Sequence, residues 1–192
     1  MISLVQQQHC MRCPALVASR RRIVHGYGDV KSGIVFIGEA PGRHGADRTG
    51  IPFWGDRSGR VLRRMLVRLG LASDETATAS LRCFITNTVR CCPPGNRTPT
   101  TAEVRSCREW LQAELDAIKP RLIVPVGRIA LQEVGRQYLE GAPGAIRALH
   151  ATVLRGREVT ILPMMHPARI GRVDVEAFIA AMQPLVDGRN EL

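Results

Sequence analysis

Three short apolar runs constrain this chain more than any other feature: residues 33–38 (GIVFIG), 83–89 (CFITNTV) and 121–126 (RLIVPV). Each is too short for an independent helix, rich in β-branched residues and bounded by Gly, Pro or charge, the pattern of a buried strand. Helical stretches separate them. Residues 59–69 carry Val61, Leu62, Met65, Leu66 and Leu69 on one stripe, with Arg60, Arg63, Arg64 and Arg68 mostly off it as a solvated face. Thr100-x-x-Glu103 has the form of a capping box, and the helix it opens directs Val104, Cys107, Leu111, Leu115 and Ile118 inward until Lys119-Pro120 ends it. Gly127 turns into a further helix over about residues 129–134. Two extended pieces, near residues 151–154 and 158–162, precede a last helix at about 173–182, before Pro184. This alternation predicts an α/β sandwich with a mainly parallel sheet. With no repeat and no linker, residues 1–192 are expected to form a single domain.

Two segments resist regular structure. Residues 39–59 are dense in Gly, Pro and charge, and a long loop after a buried strand is a functional signal. Residues 91–99 (CCPPGNRTP) interrupt the chain a second time.

Charge narrows the partners. Lys and Arg number 27 against 17 acids, a formal net charge of +10 carried almost wholly by Arg. Such an excess attracts polyanions by counterion release, nucleic acid foremost. No apolar run approaches the roughly 18 residues of a membrane span, and residues 1–8 are too short and polar for a secretory signal. The expectation is a soluble, cytoplasmic monomer.

The six cysteines are Cys10, Cys13, Cys83, Cys91, Cys92 and Cys107. Inside a cell they are poor disulfide candidates. Cys10-x-x-Cys13 with Cys107 and one of the adjacent pair Cys91 and Cys92 makes four thiolates, the count of a structural zinc or an iron–sulfur centre. Sulfur donors exclude magnesium and calcium. Spacing chooses neither between zinc and iron nor between Cys91 and Cys92. Cys83, within an apolar run, reads as a small buried hydrophobe.

The CxxC pair (residues 10–13), GEAPG (38–42), TNTVRCCPPGNRTP (86–99) and HPA (166–168), in that order, resemble the family 4 uracil-DNA glycosylases, the thermostable iron–sulfur type. The likeness spans nearly the whole chain. It implies a four-stranded, mainly parallel sheet flanked by helices in three layers, and a [4Fe–4S] cluster, bound in part by an N-terminal segment. The implied ligands are Cys10, Cys13, Cys91 and Cys107; Cys91 is favoured over Cys92 because the family places a basic residue before this Cys. The segment HGADRTGIPFWGDRSG (44–59) is closer to the sister family 5, which lacks the acid of GEAPG and in which an acid placed like Asp56 has been assigned the catalytic role. Family 5 also accepts a wider range of deaminated bases.

The resemblance assigns roles by position. Uracil-containing DNA is the implied substrate, whose base is flipped from the stack and released to leave an abasic site. Phe53 is the candidate stacking floor. The amide of Asn87 matches the N3–H and O4 edge of uracil and rejects cytosine. His166 would stabilise charge on the uracil O2, and Glu39 or Asp56 would hold water beside the sugar. Gly38, Ala40 and Gly42 would bring backbone close to the base. Arg169, Ile170 and Arg172 fall where the superfamily places a minor-groove loop, with Ile170 as a wedge and the arginines on phosphates; Asn96 and Arg97 are further phosphate candidates. His9, His25, His44 and His150 read as structural. Rival readings are a broader deaminated-base glycosylase, a zinc-held DNA-binding module without catalysis, and a redox protein using Cys10 and Cys13.

Overall fold

A computed structural model describes residues 9–76 and 79–188. The segment 1–8, read above for a signal, lies outside the described residues.

The sheet has six strands in the order β1-β3-β2-β4-β6-β5. They are β1 (Tyr27–Gly28), β2 (Ile34–Gly38), β3 (Phe84–Asn87), β4 (Leu122–Pro125), β5 (Leu154–Gly156) and β6 (Val159–Ile161). β3, β2, β4 and β6 run parallel. These are the four expected strands; β1 and β5 extend the sheet as short antiparallel edges, so it is mixed. The helices among the described residues are α1 (Pro14–Ser19), α2 (Ala46–Thr49), α3 (Arg57–Arg68), α4 (Thr101–Ile118), α5 (Arg128–Tyr138), α6 (Ile146–Leu149) and α7 (Arg172–Val186). None is long and apolar enough to cross a membrane.

Strand alternation sorts the core onto two faces. Ile34, Phe36, Leu122 and Val124 pack with Leu62, Met65 and Leu66 of α3 and Phe178, Met182 and Leu185 of α7. Val35, Ile37 and Ile123 pack with Leu111 and Leu115 of α4 and Ala130 and Val134 of α5. The result is the three-layer α/β/α arrangement. A third cluster, Leu16, Val89, Cys91, Val104, Cys107, Trp110 and Ile129, joins α1 to α4 with Cys10 and Cys13 against it.

Several expectations shift. α3 begins at Arg57 because the Asp56 carboxylate accepts a 2.8 Å hydrogen bond from Gly59 N, an N-cap that sequence pattern placed inside the loop. The capping box of Thr100 and Glu103 forms as expected. α7 runs past Pro184 to Val186. Its lost hydrogen bond falls in the last turns, where burial of Met182 and Leu185 offsets it. The irregular segment 39–59 contains the single helical turn α2, and α1 follows Cys13 with Pro14 at its first position. Arg63 is not solvated: it is 1% exposed. Its guanidinium bonds Thr76 O at 2.7 Å and the Tyr27 hydroxyl, and lies over the Trp54 ring at 4.9 Å. Delocalised charge over aromatic faces lets Arg enter where Lys would not.

Candidate active site and thiol centre

The carboxyl ends of the parallel strands open into a cleft of about 540 Å³. In an open α/β sheet this is where ligands bind, because strand order reverses there and the loops diverge. Each central strand delivers one part. Glu39 follows β2, Asn87 ends β3 and Gly127 follows β4. His166 lies beyond β6, where Met164 still bridges Val126. Glu39, Ala40, Gly42, Phe53, Asp56, Asn87, Asn96, Arg97, His166 and Arg169 all line the cleft. Gly38 lies directly beneath: a Cβ there would stand 2.4 Å from Asn87 Oδ1 and 2.7 Å from the Phe53 ring, so only glycine lets these two side chains meet.

Asn87 is 2% exposed and lines the cleft. Its amide carries both a donor and an acceptor for a ligand that enters there. Phe53 is buried at φ 51°, a conformation rarely adopted by bulky residues. Its ring centroid is 6.1 Å from that of His166.

Ala168 N donates to His166 Nδ1 at 3.3 Å, which leaves the proton of the neutral ring on Nε2. Burial lowers the His166 imidazole below its ordinary value; Glu39 and Asp56 partly offset this and Arg169 adds to it. His150 supports the segment: its Nδ1 accepts from Met165 N at 3.1 Å, and its Nε2 lies 2.9 Å from Asp174 O in α7.

The two carboxylates differ. Glu39 Oε1 accepts from Ile129 N at 3.3 Å, at the electropositive start of α5. Gly127 makes the space, with φ 95° and a notional Cβ 2.9 Å from that oxygen. Asp56 is committed to capping α3 through Oδ1, and its Oδ2 is crowded by Gly45, whose notional Cβ would lie 2.3 Å away.

Around the rim, Arg97 is held by Glu103 at 2.7 and 2.8 Å, so its charge is largely compensated. Asn96 Oδ1 accepts from Arg43 N at 2.9 Å, tying its loop to the one after β2. Ile170 is half-buried against the core, while Val173, three residues on, is 83% exposed. Arg172 is exposed. Sequence reading missed Arg128 and Arg147, which also line the cleft. They sit on α5 and α6, outside every motif, and only the fold brings them to the rim.

The thiols gather on the other side of the α4 start. Cys10, Cys13, Cys91 and Cys107 line one cavity of about 20 Å³ with Arg20, Ser106 and Trp110. Cys92 faces away, its Sγ 3.6 Å from Pro93 O and 3.9 Å from Asn96 Oδ1. Arg20 Nη1 donates to Cys91 Sγ at 3.3 Å and Arg90 N to Cys107 Sγ at 3.4 Å. Burial raises the Cys13 and Cys91 thiols and pushes Cys107 up to about 11. A metal cation reverses that preference, because coordination deprotonates a thiol outright. Among the described residues no three His, Cys, Asp or Glu side chains are grouped closely enough to hold a single metal ion. Cys83, the remaining cysteine, is buried within the first core cluster.

Fold and cleft define a class: an α/β enzyme with an aromatic ring, a buried amide and a histidine converging at the carboxyl ends of parallel strands. The family model described as the uracil DNA glycosylase superfamily matches residues 25–185, and the chain belongs to that superfamily. It is 32% identical to a type-5 uracil-DNA glycosylase of Pyrobaculum aerophilum, over 91% of this chain and 87% of that protein. It is 34% identical to a type-4 uracil-DNA glycosylase of Archaeoglobus fulgidus, over 84% and 77%. A type-5 uracil-DNA glycosylase of Thermus thermophilus shares 39% over 64% and 66%.

Proposed function

We propose that this protein is a monofunctional uracil-DNA glycosylase that flips uracil from DNA, cleaves its N-glycosidic bond and leaves an abasic site for base excision repair. One observation carries the reading: the Asn87 amide and the Phe53 ring both close on Gly38, in the cleft that also holds His166. Phe53 supplies a stacking face and Asn87 the donor and acceptor for the uracil edge. As the bond between C1′ and N1 breaks, its electron pair passes to the base and positive charge grows on the sugar. The Nε2–H of neutral His166 stabilises the uracil anion at O2. Water then adds at C1′ and loses its proton to Glu39 or to solvent. Glu39 suits this role better than Asp56, because Asp56 Oδ1 is committed to the α3 cap whereas Glu39 is held at the start of α5 facing the cleft.

Arg128, Arg147 and Arg169 are rim cations available to phosphates, and the exposed Arg172 lies three residues beyond Arg169; Asn96 and Arg97 shape that rim. Ile170 acts from the core side as an anchor of the loop. The N-terminal segment belongs to the same domain through the third core cluster.

The thiol cavity fits a [4Fe–4S] cluster held by Cys10, Cys13, Cys91 and Cys107. Four sulfur donors surround one space, N–H groups already point at two of them, and the indole N–H of Trp110 is buried without an acceptor. A single zinc, about 2.3 Å from each sulfur, needs tighter convergence. Such a cluster would cross-link the N-terminal CxxC segment, the 91–99 loop and α4.

A second reading, release of hypoxanthine or xanthine as well, is favoured by the cleft's volume, ample for a purine, and by the likeness to type-5 relatives. The test is base release from oligonucleotides carrying each lesion, by wild type, His166→Ala and Asn87→Ala. Free uracil from an intact strand, strongly reduced in both variants, is the expected result. Release of purines alone would move the reading to the second, and no release from any lesion would leave only a DNA-binding module.

A further inference from the structure

The indole N–H of Trp110 has no work to do in the protein alone. Trp110 is 4% exposed, and its Nε1 is buried without a hydrogen-bond partner among the described residues. A buried indole N–H ordinarily finds an acceptor, because leaving that hydrogen bond unmade is costly. Trp110 lines the same cavity as the four thiols. On α4 it stands one turn after Cys107, so the two share a helix face. The guanidinium of Arg12, inside the CxxC segment, lies over its ring at 5.0 Å and pins it there. The protein already supplies donors to three sulfurs: Ser106 to Cys13, Arg20 to Cys91 and the Arg90 backbone to Cys107. Among the side chains lining this cavity, the acceptors are the four sulfurs and the Ser106 hydroxyl, which already engages Cys13.

We propose that Trp110 donates its indole N–H to a sulfur of the iron–sulfur centre and so helps to set that centre's reduction potential. The proposal rests on the cofactor reading above. A donor to sulfur favours the reduced, more negative state, so its removal shifts the potential downward. The competing acceptor is a buried water in the same cavity.

The experiment compares the iron-loaded wild type with Trp110→Phe, a change that keeps the aromatic packing. Iron and sulfide are counted first, then each protein is titrated anaerobically with dithionite against mediator dyes. A more negative midpoint in Trp110→Phe at equal iron content is expected. An unchanged midpoint at equal iron content overturns the proposal in favour of water. The wild type gives an independent readout, because the chain has only two tryptophans. With indole ¹⁵N labelling and Trp54→Phe for assignment, the Trp110 N–H resonance should be displaced by the cluster and should move on reduction. A Trp110 signal at an ordinary position, unmoved by reduction, overturns the proposal even where Trp110→Phe fails to fold. Wild type purified anaerobically without iron would instead sink the cofactor reading, and this inference with it.

Discussion

At the scale of single residues, the cleft separates groups of similar chemistry by what each is already bonded to. On the proposed mechanism His166→Ala removes the donor for the leaving base, and it is expected to lower kcat by about 10²–10³ with the fold intact. The protonation of His166 is itself testable. Its folded value lies below the unfolded value of about 6.5. Protons therefore bind the unfolded chain preferentially between the two, so this residue's contribution to stability falls as pH drops through that window. Glu39 opposes the depression, so Glu39→Gln should move the His166 titration lower still, read by NMR. Asp56 invites a different contrast. Asp56→Ala should lose about 1 kcal/mol of stability through the cap, whereas Asp56→Asn keeps it. If Glu39 holds the water, Asp56→Asn retains most of its activity and Glu39→Gln does not; the reverse ranking in single-turnover assays would transfer the role.

At the scale of elements, the site depends on where strands and helices begin and end. α5 starts immediately after Gly127, so its first N–H groups face the Glu39 carboxylate. Gly127→Ala would strain a backbone at φ 95° and press a methyl onto that carboxylate. The expected result is a lowered Tm together with a loss of kcat larger than any change in DNA affinity; full activity at reduced Tm would show that Glu39 is not positioned this way. α4 serves both centres, since its cap engages Arg97 of the cleft rim while Cys107 and Trp110 face the thiols. The run from Cys91 to Asn96 likewise begins at the thiol cavity and ends in the cleft.

At the scale of the whole molecule, the net charge of +10 governs encounter with DNA more than chemistry. KM for a uracil-containing duplex should rise steeply with salt, with a log–log slope of about 0.9 per phosphate contacted, while kcat stays nearly constant. Charge-removing changes at Arg128 and Arg147, such as Arg→Gln, should flatten that slope; an unaltered slope would remove both from the interface.

The order of strands and helices was legible in the chain itself, because hydrophobic periodicity and capping chemistry are local. So were the residues Glu39, Phe53, Asn87 and His166, each beside a strand end or in a motif loop, and the set of clustered cysteines. Other facts belong to the tertiary structure, since they depend on contacts between distant segments. Pairing of the edge strands turned four strands into six. The aromatic faces of Tyr27 and Trp54 drew Arg63 inside, against its helical pattern. Packing half-buried Ile170 against the core and left Val173 outside. Backbone direction at adjacent residues turned Cys91 toward the other thiols and Cys92 toward Asn96. Spacing along a chain says which groups are near in sequence; only the direction and burial of each side chain says which are bonded, and those are set by the packed whole.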